Sequence, residues 1–169
     1  AIEHGLAGRF NIVYAGNMGF AQALDTVIEA AQQLRDLPEV QFVFIGDGVD
    51  EARLRQMVAQ QQVSNVRFLG RQPARRMPDF FALADVLLVH LKRDPLFEIT
   101  IPSKTLSYMA CGRLILMAVA GDAADVVHDA GAGLLCAPQD PRALAAAVRT
   151  LYTLPEAERE RMGKAGREA

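Results

Sequence analysis

The chain has 169 residues, of which 51% are hydrophobic and 22% charged, and its formal net charge is −2. That length suits one domain with a proper core, and the composition is ordinary for a globular protein. A charge so near zero speaks against both a nucleic-acid binder and a membrane-surface protein, and no stretch reaches the ~20 apolar residues of a membrane span.

The amino terminus lacks a Met and the charged-then-apolar layout of a signal peptide, and it opens on the loop-like A-I-E-H-G-L-A-G. Residues 1–9 therefore read as a linker remnant and residues 10–169 as one domain of a longer protein. Phe10 to Ala15 predicts a first strand, ending in the turn Gly16-Asn17-Met18-Gly19. A long helix follows, with Ala23, Leu24, Val27, Ala30, Ala31 and Leu34 at helical spacing, closed by Leu37-Pro38. Val40 to Ile45 is a second strand, followed by Gly46-Asp47-Gly48 and an amphipathic helix carrying Leu54, Met57 and Val58. Strand three is Val66 to Leu69, closed by Gly70, and a short helix after Pro73 holds Phe80, Phe81 and Leu83. Asp85 to Leu91 is a fourth strand, and Pro102 opens a helix running through Leu106 and Met109 to Gly112. Leu114 to Val119 and the short Gly133 to Ala137 are the last strands. Helices follow them, through Val126 and Val127, from Pro141, and from about Pro155.

Six apolar strands, each followed by a helix, imply an α/β fold: a doubly wound, Rossmann-like parallel sheet with helices on both faces. The expected strand order is 3-2-1-4-5-6. Ligands of such sheets bind beyond the carboxyl ends of the strands, where the order reverses, here between strands one and four. That crevice gathers the turns Gly16 to Gly19 and His90 to Thr105, flanked by Gly46 to Gly48 and Gly70 to Gln72.

The helix opening at Pro102 carries free N–H groups on Ser103, Lys104 and Thr105 at the positive end of its dipole. With the Lys104 ammonium and two hydroxyls, a phosphate suits it; an ordinary capped helix with a solvated lysine is the alternative. The Gly16–Gly19 turn has amides that could cradle an anion, but neither G-x-G-x-x-G nor a Walker loop occurs, which disfavours a dinucleotide cofactor. Gly46-Asp47-Gly48 also reads simply as a strand-to-helix turn capped by Asp47 or Asp50. Of His4, His90 and His128, only His90 reaches the crevice, and their spacing suits no metal site. Glu98 and Asp122 are the crevice acids, while Arg75 and Arg76 read as solvated surface. Cys111 and Cys136, in apolar surroundings, read as two buried free thiols, which fits a reducing cytosol.

The ordered segments Y-A-G-N-M-G, F-V-F-I-G-D-G, N-V-R-F-L-G, A-D-V-L-L-V, I-P-S-K-T-L-S-Y-M-A-C-G and A-G-L-L-C-A-P-Q-D-P-R-A-L-A span nearly the whole chain. Together they resemble the carboxyl-terminal domain of family 4 retaining glycosyltransferases of GT-B fold. The likeness is strongest to the bacterial surface-polysaccharide branch similar to amino-fucosyltransferases. The resemblance implies the donor-binding half of a cytoplasmic enzyme, peripheral at the inner membrane when whole. It would move a hexosyl unit from a UDP-sugar to a glycan or lipid-linked acceptor held by a preceding lobe, with no metal or cofactor. By similarity, Arg71 and Gln72 border the base. Pro102, Ser103, Lys104 and Thr105 meet the diphosphate, with Lys104 as the catalytic cation, and Gly16 and Asn17 face them. Gly46, His90 and Ser107 complete the expected contacts.

This chain departs from the family pattern at several positions. Asn17 and Gln22 stand where the broader family has an Arg and a Lys, and Ile99 and Ser107 where it has paired glutamates. The charge must then come from Lys104, with Lys92 or Arg93. Two other readings stay open: a nucleotide-sugar epimerase, needing carboxylates converging on the sugar, and a non-catalytic interaction module with a degenerate donor site.

Overall fold

The computed structural model describes residues 5–93 and 103–168. Six parallel strands form one sheet: β1 (Phe10–Ala15), β2 (Val40–Ile45), β3 (Val66–Gly70), β4 (Val86–His90), β5 (Ile115–Ala118) and β6 (Gly133–Leu135). Their order is β3-β2-β1-β4-β5-β6, as the alternation of apolar runs and helices requires. The helices are α1 (Asp25–Gln32), α2 (Glu51–Gln60), α3 (Met77–Ala82), α4 (Ser103–Ala110), α5 (Asp122–Ala130), α6 (Pro141–Thr153) and α7 (Glu156–Glu168).

Successive strand residues point to opposite faces, and both faces are buried. Ile12 and Tyr14 join a core with Val27 and Ile28 of α1, Leu54 of α2, and Leu144 and Val148 of α6. Val13 and Ala15 join a second core with Phe80 of α3, Tyr108 of α4 and Val127 of α5. Each fully buried aliphatic or phenyl side chain contributes about 1.5–3 kcal/mol. This is why the strands read as continuous apolar runs rather than alternating ones.

Helix α1 is shorter than its apolar spacing suggests. Ala23 takes a left-handed φ of +47° after a 3-10 turn at Phe20–Gln22, so the helix cannot start before residue 24. Helix α6 starts as expected, with Pro141 in its first turn and Asp140 accepting the Ala143 N–H at 3.0 Å. At the start of α2 the expected capping by Asp50 does not occur. Arg53, one turn on, instead takes both Asp50 oxygens at 2.6 and 2.7 Å, and that fork outcompetes a single amide for the buried carboxylate.

Two strand residues that break the apolar pattern, Asn11 and Gln41, are buried against each other. Gln41 Nε2 donates to Asn11 Oδ1 at 2.7 Å and to the Gly5 carbonyl at 2.9 Å, and Asn11 Nδ2 donates to the Leu6 and Leu83 carbonyls. This network seats Leu6 in the core, so residues 5–9 are packed against the amino end of the sheet. Cys136 lies just past β6 and is half-buried, its thiol pushed up to about 12 by burial. Cys111, however, is exposed, contrary to expectation, because the turn that ends α4 faces outward. Among the described residues, no helix is long and apolar enough to cross a membrane.

Candidate functional site

The sheet opens where its order reverses. β1 pairs with β2 from Phe10 to Ala15, but with β4 only at Ile12–Val86 and Val13–Leu87. Odd residues of β1 turn their backbone groups toward β4, so beyond Val13 the Ala15 N–H and C=O have no strand to pair with. Tyr108 of α4 fills that role. Its hydroxyl accepts the Ala15 N–H at 3.0 Å and donates to the Ala15 carbonyl at 3.1 Å. Burial pushes the Tyr108 phenol up, which keeps it a donor. A residue of α4 thereby holds the end of β1.

Beside this tether lies a hollow of about 480 Å³. The end of β1 and its turn contribute Ala15, Gly16 and Asn17, and the end of β2 contributes Ile45, Gly46 and Asp47. Arg71, Gln72 and Met77 form its far side. Of the expected contacts, the structure therefore brings together Gly16, Asn17, Gly46, Arg71 and Gln72. Asn17 and Arg71 are exposed there, and Gln72 is fixed by donating from Nε2 to the Leu69 carbonyl at 2.7 Å.

The two glycine turns touch each other rather than forming an anion cradle. Gly16 N–H donates to the Ile45 carbonyl and Met18 N–H to the Asp47 carbonyl, each at 2.8 Å. Gly19 N–H goes to Gln22 Oε1 at 3.0 Å, and the Asn17 carbonyl accepts from Tyr14 Oη at 2.6 Å. The cradle expected of this turn is therefore mostly spent on the fold. A Cβ on Gly46 would sit 2.1 Å from the Gly16 carbonyl oxygen, and its φ is +130°. Close approach of backbone to backbone explains that glycine.

His90 is enclosed at 1% exposure, and both of its ring nitrogens have protein partners. Nδ1 faces the Gln22 carbonyl at 2.6 Å, and Nε2 accepts the Gln139 N–H at 3.3 Å. Both nitrogens are thus engaged within the fold, so the ring clamps Gln22 to Gln139. Ser107 is exposed on α4, and Thr105 is buried, its hydroxyl without a partner among the described residues. Ser103 and Lys104 begin α4, but their side chains lie outside the described residues, as do Pro102, Glu98 and Ile99. The inward face of α4 is Thr105, Tyr108 and Met109, while Leu106 is 56% exposed. Sequence reasoning missed Tyr108, Tyr14 and Met77. The i, i+3 spacing of Thr105 and Tyr108, two polar-tipped residues on one helical face, was the available signal.

A family model described as "Glycosyl transferases group 1" matches residues 3–169. The chain belongs to that family. Two curated relatives agree with this. One is the Escherichia coli (strain K12) protein assigned as the colanic acid biosynthesis glycosyl transferase WcaI, 33% identical over 148 residues, or 86% of this chain and 36% of that one. The other is the Pseudomonas aeruginosa protein assigned as glycosyltransferase WbjE, 31% identical over 134 residues, covering 78% of this chain and 33% of the relative. The chain thus spans about a third of the length of the curated relatives it matches.

Solved structures share the family chain's fold. Anabaena Alr3699/HepE in complex with UDP superposes with a TM-score of 0.83 at 19% identity, over 97% of this chain and 44% of that one. The carboxyl-terminal domain of the group 1 protein LpcC from Francisella tularensis gives 0.77 at 19% identity, covering 94% of this chain and 83% of that domain.

Proposed function

We propose that this chain is the donor-binding lobe of a two-lobed, GT-B glycosyltransferase that moves a hexosyl group from a UDP-sugar in cell-surface polysaccharide synthesis. The observation that carries the reading is the convergence of Gly16, Asn17, Gly46, Arg71 and Gln72 on one hollow at the strand-order reversal, where nucleotides bind in such sheets. Two findings support it. A fold neighbour, HepE, was solved with UDP and with UDP-glucose, and a curated relative is named for colanic acid biosynthesis.

In this reading the base lies against Arg71 and Gln72, and the diphosphate meets the first turn of α4. The amides of Ser103, Lys104 and Thr105 and the Lys104 ammonium face the charge that grows on the diphosphate as the anomeric bond breaks. Preorganised donors at such charge are often worth about 3–4 kcal/mol each. The Thr105 hydroxyl, without a partner among the described residues, supports a polar ligand, because a buried hydroxyl left unpaired costs about 1–3 kcal/mol. Retention of anomeric configuration, a metal-free course and a glycan or lipid-linked acceptor on a preceding lobe, at the cytoplasmic face of the membrane, follow from the resemblance. The epimerase alternative needs several carboxylates at the sugar; among the described residues, Asp47 is the acid lining the hollow.

A nucleotide panel tests the assignment. UDP should raise the melting temperature of the chain by about 5 °C at saturating concentration, and GDP and ADP by much less. Equal shifts with all three, or none, would contradict it.

A further inference from the structure

The partners of His90 determine its protonation. The Gln22 carbonyl can only accept, so Nδ1 must carry the proton, and the Gln139 N–H can only donate, so Nε2 must be bare. The ring is thus a neutral bridge between the chain after β1 and the chain after β6, anchored at the end of β4. Neighbouring bonds strengthen the same junction: Lys92 N–H donates to the Ala21 carbonyl at 2.9 Å, and Arg93 N–H to Gln139 Oε1 at 2.6 Å. Gln139 is held at a left-handed φ of +53°, an uncommon backbone state for a residue with a side chain. Gln22, held by His90, in turn receives the Gly19 N–H and closes the turn whose Gly16 and Asn17 line the hollow.

Resting on the nucleotide-binding reading above, we propose that His90 is a positioning residue for the donor site, and that its protonation releases the β6 loop and weakens donor binding. A proton on Nε2 would set two donors face to face, Nε2–H against Gln139 N–H, and the clamp would open on that side. Burial lowers the pKa of the ring below its ordinary value, so the clamp holds at neutral pH and fails in acid. Among the described residues, the charged groups around it are few. Asp25 at the start of α1 favours the protonated ring. Lys92 and Arg93 follow it in the chain, and Asp140 follows Gln139 with its carboxylate engaged by Ala143 N–H. β5 presents Ala118 as its register partner, with no titratable group.

The test is calorimetric titration of the full 169-residue chain with UDP-glucose, whose diphosphate does not itself titrate in this range, from about pH 7.5 to about pH 5. NMR of the His90 ring and of the Gln22 and Gln139 amides is followed in parallel. His90→Gln keeps an acceptor for Gln139, and His90→Asn keeps a donor for Gln22; neither titrates. The wild-type affinity should fall by about twofold or more, with the Gln139 amide moving at the same midpoint as the ring, while both variants show flat profiles. An unchanged pH dependence in His90→Gln, or a ring carrying its proton on Nε2 at neutral pH, overturns the proposal. Absence of UDP-glucose binding at neutral pH overturns the nucleotide reading and the affinity claim with it, while the amide titration, which needs no ligand, still decides whether the clamp exists.

Discussion

The hydroxyl of Tyr108 both accepts from and donates to the backbone of Ala15, at 3.0 and 3.1 Å, where β1 has parted from β4. One side-chain atom thus replaces a missing rung of the sheet and couples the helix that opens at residue 103 to the rim of the hollow. Tyr108→Phe removes only that atom and leaves two buried backbone groups without partners. It should lower stability by about 1–3 kcal/mol in urea unfolding and weaken nucleotide binding as well. A loss of stability with undiminished affinity would show that the tether serves the fold alone.

The two turns that meet at the hollow tolerate no added carbon at residue 46. Gly46→Ala would drive a methyl group to 2.1 Å from the Gly16 oxygen, at a φ of +130°. Thermal unfolding should show a loss of at least about 2 kcal/mol. Gly131→Ala provides the comparison: its φ is also positive, at +67°, but nothing lies near its added carbon, so it should cost about 1 kcal/mol.

At the opposite end of the sheet, Asn11→Ala would strand the Leu6 and Leu83 carbonyls and one Gln41 bond. The expected cost is about 2–4 kcal/mol. Hydrogen exchange should speed up most around Gly5 and Leu6, whose carbonyls are held by Gln41 and Asn11.

Asp85 carries a pH prediction. Its carboxylate accepts the Asn11 N–H at 2.8 Å, but burial raises its pKa above the ordinary value. A raised carboxylate binds more protons in the folded chain than in the unfolded one, so its contribution is complete in acid and is lost as pH rises through the folded pKa. Asp85→Asn keeps an acceptor and removes the charge. The variant should be more stable than wild type at neutral pH, by under about 1 kcal/mol for this half-buried group, with the gap closing in acid. A gap that widens in acid would reverse the assignment.

How far the sequence could be read follows from the kind of signal each feature leaves. β1, β2 and the strand order were legible because a sheet buried on both faces needs uninterrupted apolar runs, and parallel crossovers leave few topologies. The hollow followed, since the order reversal fixes where loops converge. The inward face of α4 was not legible, because hydrophobicity alone does not say which face of a short helix turns inward; Tyr108 and Thr105 occupy it while Leu106 is exposed. The intramolecular partners of the Gly16–Gly19 amides and of His90 were illegible for a different reason. A donor or acceptor near a crevice looks available until its partners, Ile45, Asp47, Gln22 and Gln139, are brought in from distant parts of the chain. Asp50 shows the same thing, since Arg53 takes both oxygens that were expected to cap α2.

In the function proposed above, the opening turn of α4 receives the diphosphate of a nucleotide sugar. Calorimetry of UDP-glucose binding to the 169-residue chain and to Lys104→Ala tests it most directly. One molecule should bind per chain, and the substitution should weaken binding about tenfold or more. Equal affinity in the two proteins would contradict the claim.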